Sequence, residues 1–126
     1  MSSSFQTSQQ QRARAALEAV EGFRTRSPEE RRKLKSRASE LPFMVHANGL
    51  GQAAAFFRSK RDKDGYGDLF KVLADWLISE GRPFEGRREL MEAITQCDLH
   101  TYRRAQAEAM QYMDWVKKFV NATLED

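Results

Sequence analysis

Apolar residues recur along this chain at intervals of three and four, and every periodic stretch repeats near 3.6 residues, the period of a helix rather than a strand. Residues 1–10 are rich in Ser, Gln and Thr and read as a flexible polar N-terminus. From Gln11 the pattern turns helical: Ala13, Ala16, Leu17, Val20 and Phe23 form one face, and Gly22 weakens the end. Ser27-Pro28-Glu29-Glu30 is a helix start, with Ser27 as cap, Pro28 in the first turn and Glu30 closing a capping box. Leu34, Ala38 and Leu41 form a narrow stripe. Pro42 is expected to kink or interrupt that helix, and Phe43, Met44 and Val45 to lead into the interior.

Asn48-Gly49 reads as a helix stop, because both residues tolerate positive φ. A hairpin is rejected there, since Ala47 and Ala53 are not strand-like flanks. Leu50, Ala54 and Phe57, widened by Ala53 and Phe56, open a short third helix, and residues 62–67 form an exposed loop. Leu69, Val72, Leu73, Trp76 and Leu77 make the clearest amphipathic stripe, which places Trp76 in the core and Gly81 at the C-cap. Leu90, Met91 and Ile94 define a short helix after the 82–86 loop. Asp98 caps a long last helix carrying Tyr102, Ala105, Ala109, Tyr112, Met113, Val116 and Val120. The prediction is an all-α, compact single-domain bundle of about five to seven helices over residues 11–126, without strands.

A chain of 126 residues suits one domain, and 40% hydrophobic residues support a core that needs neither metal nor disulfide. The single cysteine, Cys97, permits no internal disulfide, and it continues the Leu90/Ile94 stripe as an expected buried thiol. The first residues lack the basic and apolar regions of a signal peptide, and no apolar run approaches a membrane span. The expected compartment is the cytoplasm. The net charge of +3 is unevenly placed. Residues 1–40 carry nine cations and five carboxylates, residues 41–67 four and two, and residues 68–126 eight and eleven. A basic front and an acidic back hint at a polyanion partner and a second, different contact surface.

The order Leu41-Pro42-Phe43-Met44-Val45-His46-Ala47-Asn48-Gly49-Leu50-Gly51-Gln52-Ala53, then Phe56, Tyr66, Leu69 and Asp75-Trp76-Leu77, resembles the small helical subunit family of the type III-B (Cmr) CRISPR RNA-guided effector complex. The last helix, from Tyr102 to Phe119, is similar to that family's C-terminal segment. The likeness spans roughly residues 12–124, and Asn48-Gly49-Leu50-Gly51-Gln52-Ala53 is its most specific piece. The resemblance implies a helical bundle that assembles with other Cmr subunits and with copies of itself. It implies contact with guide RNA and target RNA through the assembled complex, with cleavage belonging to other subunits. Physically, Gly49 and Gly51 around Leu50 permit a sharp turn and a close backbone approach, while Gln52 offers a donor and an acceptor. A fold-defining turn and a partner contact both remain open for Asn48, Gly49, Leu50, Gly51 and Gln52.

No catalytic constellation, cofactor turn or metal motif is legible, so no cofactor and no catalytic residue are expected. Asp62-Lys63-Asp64-Gly65-Tyr66-Gly67 is superficially a calcium loop, but Tyr66 and Leu73 stand where ligands belong. Cys97, His100 and His46 are one ligand short of a structural zinc site. Nothing pairs the two histidines as the acid and base of a ribonuclease.

The basic residues carry the remaining signal. Arg24, Arg26, Arg31, Arg32, Lys33, Lys35 and Arg37 fall within fourteen residues, and Arg58, Lys60, Arg61 and Lys63 form a second cluster. Lys and Arg make sequence-independent phosphate contacts, although a solvated helix face has the same composition. Arg31, Arg32, Lys35, Arg58, Lys60 and Arg61 are the candidate nucleic-acid contacts. The leading expectation is a non-catalytic assembly subunit, and the alternative is a free-standing helical adaptor or small nucleic-acid-binding protein.

Overall fold

The computed structural model describes residues 6–63 and 65–124. Among them are six helices and no strand: α1 (Ser8–Glu21), α2 (Pro28–Asn48), α3 (Leu50–Ser59), α4 (Tyr66–Ile78), α5 (Leu90–Gln96) and α6 (Leu99–Thr123). The all-α prediction is met. The 25-residue α6 is the central element and packs most extensively against α1 and α2. Its stripe of Ala105, Ala109, Tyr112, Met113, Val116 and Val120 is buried throughout. The core unites Leu34, Leu41, Phe57, Leu73, Leu77 and Met113 with the rest of the apolar faces, and among the described residues no charged side chain is fully buried in it. Trp76 is in it, as its stripe requires.

Several boundaries differ from the sequence reading. α1 begins at Ser8, because Thr7 caps it and Gln10 returns the bond in a full capping box. The five residues before Gln6 lie outside the described part. α2 is not interrupted at Pro42, which removes the bond to the Ala38 carbonyl without ending the helix. Ser27, Pro28 and Glu30 start this helix as expected: the Glu30 N–H donates to the Ser27 hydroxyl at 3.1 Å. Phe43 does not lead inward; it is 68% exposed, and only Val45 of that trio is buried. Leu17 is likewise 38% exposed, because the buried edge of α1 is narrower than its apolar pattern. α4 is capped by Ser79 rather than Gly81, although Gly81 has positive φ two residues later. Cys97 is half-buried, not buried; its thiol lies 3.5 Å from the Ile94 carbonyl.

The 79–89 connection is held by Phe84. Its side chain is fully buried, and its N–H donates to the Leu77 carbonyl at 2.9 Å. α5 then starts from Glu89, whose carboxylate accepts from the N–H groups of Met91 and Glu92.

Candidate nucleic-acid interface

The cationic residues of α2 sit where their register puts them. The buried stripe Leu34, Ala38, Leu41 and Val45 faces the core. Each residue turns about 100° around the axis. Lys33 and Arg37 therefore share one flank, and the 60–66 loop packs against it. The Gly65 backbone lies against Lys33, and the Arg37 guanidinium stands 4.2 Å above the Tyr66 ring. Arg26 reaches the same side and pairs with Asp68 at 2.7 Å. Arg32 is turned roughly 100° away from Lys33, is exposed, and has Lys35 beside it. Arg31 donates to the Arg26 carbonyl.

The second cluster is engaged with its surroundings. Arg58 pairs with Glu89 at 2.9 Å and stands over the Phe70 ring. The bonds from the Met91 and Glu92 N–H groups, with the charge of Arg58, hold the Glu89 carboxyl below the usual carboxylate range. Lys60 lies 5.3 Å from the Phe56 ring centre, and Arg61 donates to the Arg58 carbonyl. A polar cleft of about 210 Å³ joins Arg61 and Lys63 to Arg26 and Glu30 of the α2 side. The structure thus brings Lys60 and Arg61 to the Arg37 flank, where Lys60 and Arg37 both approach the Tyr66 ring, while Arg58 turns to Glu89 and Phe70. It leaves Arg32 and Lys35 on another flank, one that points to solvent at Arg32.

The signature turn is built by α6. Asn48 ends α2, and Gly49 joins α2 to α3 with φ 91° and ψ 158°. That conformation belongs almost entirely to glycine. A glycine N-cap has no side chain to satisfy the first N–H groups of α3. Gln106 and Tyr102 supply the acceptors instead: Leu50 N–H donates to Gln106 Oε1 and Gly51 N–H to the Tyr102 hydroxyl, each at 2.9 Å. Leu50 is buried, and Gln52 is exposed. The turn's structural role is therefore explicit, and Asn48 and Gln52 are the members left facing outward.

Sequence reasoning missed the polar core of the α1, α4 and α6 contact. Arg12 makes a two-pronged pair with Glu108, at 2.7 and 2.9 Å, with side chains only 11% and 12% exposed. The Trp76 indole N–H donates to the same carboxylate at 2.8 Å, and the Trp76 ring stacks on Tyr112 at 4.7 Å. Burial pushes the Glu108 carboxyl up, but the bonds from Arg12 and Trp76 outweigh it and hold it below the usual range. Burial, then Asp75 and Glu18, push the Tyr112 hydroxyl well up. Beside this network runs a groove of about 500 Å³ lined by Phe23, Val72, Trp76 and Tyr112, with Glu18 and Asp75 at its rim. The groove lies between α1 and α4, and its lining also includes the cations Arg26 and Lys71. An Arg and a Glu separated by 96 residues leave no local signal.

The other candidates are dispersed. His46 and His100 are exposed in the last turn of α2 and the first turn of α6. Among the described residues no group of three His, Cys, Asp or Glu is placed to hold a metal. Asp64, of the loop compared with a calcium site, lies outside the described residues. No helix among those described is long and apolar enough to cross a membrane.

These features meet known proteins along nearly the whole chain. Residues 8–123 match the family model described as CRISPR-associated protein (Cas_Cmr5). The chain is 34% identical over 98 residues to the CRISPR system Cmr subunit Cmr5 of Thermus thermophilus, covering 78% of this chain and 81% of that protein. The crystal structure of a CRISPR-associated Cmr5 family protein from Thermus thermophilus superposes with a TM-score of 0.79 at 32% identity, covering 95% of this chain and all of that one. One continuous match therefore takes in the capped start of α1, the glycine turn and the central α6, and the chain belongs to the Cmr5 family of CRISPR-associated proteins.

Proposed function

We propose that this chain is a non-catalytic small subunit of a type III-B (Cmr) CRISPR RNA-guided ribonucleoprotein effector acting in antiviral defence. The carrying observation is the family match over residues 8–123, which takes in every described helix. In this reading the chain assembles with other Cmr subunits and with copies of itself. It contacts the backbone of guide or target RNA, while cleavage belongs to partner subunits. Arg31, Arg32, Lys35, Arg58, Lys60 and Arg61 are the candidate contacts. Exposed Arg32 favours the α2 flank, whereas Arg58 is already paired with Glu89. Lys and Arg on a helix face suit this task, because phosphate contacts fix position without reading sequence.

The test is co-purification. A tagged copy expressed with the other Cmr proteins of its source should recover them together with a guide RNA, and the purified chain alone should cleave neither RNA nor DNA. Recovery of the tagged chain alone, from cells that assemble the remaining Cmr proteins, would favour a free-standing adaptor.

A further inference from the structure

The largest exposed apolar side chain on α2 is Phe43, 68% exposed at a position the bundle does not use. The helical register places it within about 20° of Arg32 and Ser36, on the side of α2 turned away from the core. Arg32 and Phe43 are eleven residues apart, about 16 Å along the axis and a few nucleotides of a single strand. Of the five cations between residues 31 and 37, Arg32 is the exposed one and lies on this side with Lys35 beside it, whereas Lys33 and Arg37 face the 60–66 loop. One turn from Phe43 along α2 stand the partly buried Ser39 and Glu40, the latter paired with Arg37, and the exposed His46 and Ala47, with exposed Ser36 two turns away.

That setting does not suit a protein contact. A stable protein interface has a contiguous apolar centre, and here one ring stands among hydroxyls, an imidazole, a methyl group and the Glu40 carboxylate, whose charge Arg37 offsets. A lone exposed ring beside a cationic helical stretch matches the recognition of single-stranded nucleic acid, in which cations follow the backbone and an aromatic ring stacks on an unpaired base.

We infer that Phe43 is a stacking platform for an unpaired base of the RNA strand whose phosphates the outer cations of α2 contact. The inference rests on the proposed backbone role of α2 and adds a contact with a base. Stacking accepts any base, because each has a π-face, so the site gives affinity without sequence specificity. It also sets the position of the strand along the helix, which mobile phosphate contacts alone leave loose.

The experiment uses the full chain at low salt with two probes: a short single-stranded RNA, and a strand of equal length and charge whose bases are replaced by abasic sites. Phe43→Ala should weaken RNA binding between about five-fold and a hundred-fold. It should leave the salt dependence unchanged, since no phosphate contact is lost. Phe43→Leu should lose the same affinity, whereas Phe43→Trp should restore it and show quenched indole emission on binding RNA. The abasic strand should bind the wild type and Phe43→Ala alike. All three substitutions are at an exposed position, and circular dichroism should show an unchanged helix content.

Full RNA affinity in Phe43→Leu would mean that an apolar surface suffices, and would overturn stacking. So would a Phe43→Ala defect that persists on the abasic strand. Wild-type RNA binding by Phe43→Ala, together with loss of a co-purifying Cmr subunit, would make Phe43 a protein contact instead. If the Phe43 variants are neutral while Arg32→Ala still reduces the salt slope, stacking falls and the backbone role stands. No RNA binding by the wild type at low salt overturns both.

Discussion

Glu108 gathers the Arg12 guanidinium, the Trp76 indole and the charge of Arg82 onto one half-buried carboxylate. Such a group has a defined acid response. Its pKa is lower in the folded chain than the ordinary value of 4.5. The folded state therefore binds the proton less readily than the unfolded chain. The contribution of this group to stability is complete above about pH 4.5 and is lost as pH falls through the lower folded value. Glu108→Gln keeps the shape and removes the charge, so it should flatten the acid limb of the stability–pH curve. Urea titrations of both proteins from neutral pH to about pH 3 measure this. Parallel curves would mean that Glu108 titrates normally when folded. At neutral pH the variant should be less stable by up to about 3 kcal/mol, because Arg12 then stays buried beside an uncharged partner.

Between elements, the decisive joint is Gly49. It closes α2 by donating to the Val45 carbonyl at 2.9 Å and opens α3 at φ 91° and ψ 158°. No other part of the turn needs glycine so strictly. A Cβ on Gly51 would meet only ordinary contacts, 3.4 Å from the Tyr102 hydroxyl and 3.6 Å from Ile94. Gly49→Ala should therefore cost roughly 1–3 kcal/mol, and Gly51→Ala clearly less, as read from the midpoints of chemical unfolding. Equal losses at both positions would mean that crowding by α6, rather than backbone strain, defines the turn.

For the whole molecule, the issue is which cations meet a polyanion. The α2 flank with Arg32 and the loop with Lys60 and Arg61 lie on different sides of α2, so substitutions separate them. Each phosphate contact on a single strand adds roughly −0.7 to the log–log slope of affinity against salt. Arg32→Ala should lower that slope by somewhat less than one unit, with the fold intact. The Lys60→Ala/Arg61→Ala pair should change it by more only if the loop also faces the strand. Salt titrations of single-stranded RNA binding, by the chain alone and within the assembled complex, compare the two. A double variant that matches the wild type in both settings would confine the interface to α2.

The sequence alone determined the all-α class, the capped starts of α2 and α6, the core stripes of α4 and α6, and the family resemblance that the match over residues 8–123 establishes. These are local properties: a 3.6-residue period, a capping box, a glycine turn in a fixed order. The Thr7 capping box was also legible, in the Thr7 and Gln10 spacing, but polar composition masked it. Tertiary structure decided the rest. Pro42 lies inside a helix because packing of α2 on α6 outweighs one missing bond. Phe43 points to solvent because Leu41 and Val45 already fill the core side of that turn. Glu108 meets Arg12 and Trp76 only after α1, α4 and α6 converge, and Gln106 and Tyr102 cap a helix more than fifty residues away. Contacts between residues far apart in the chain leave no periodic trace, and a cation's charge does not say whether it will be paired inside the fold or face a partner.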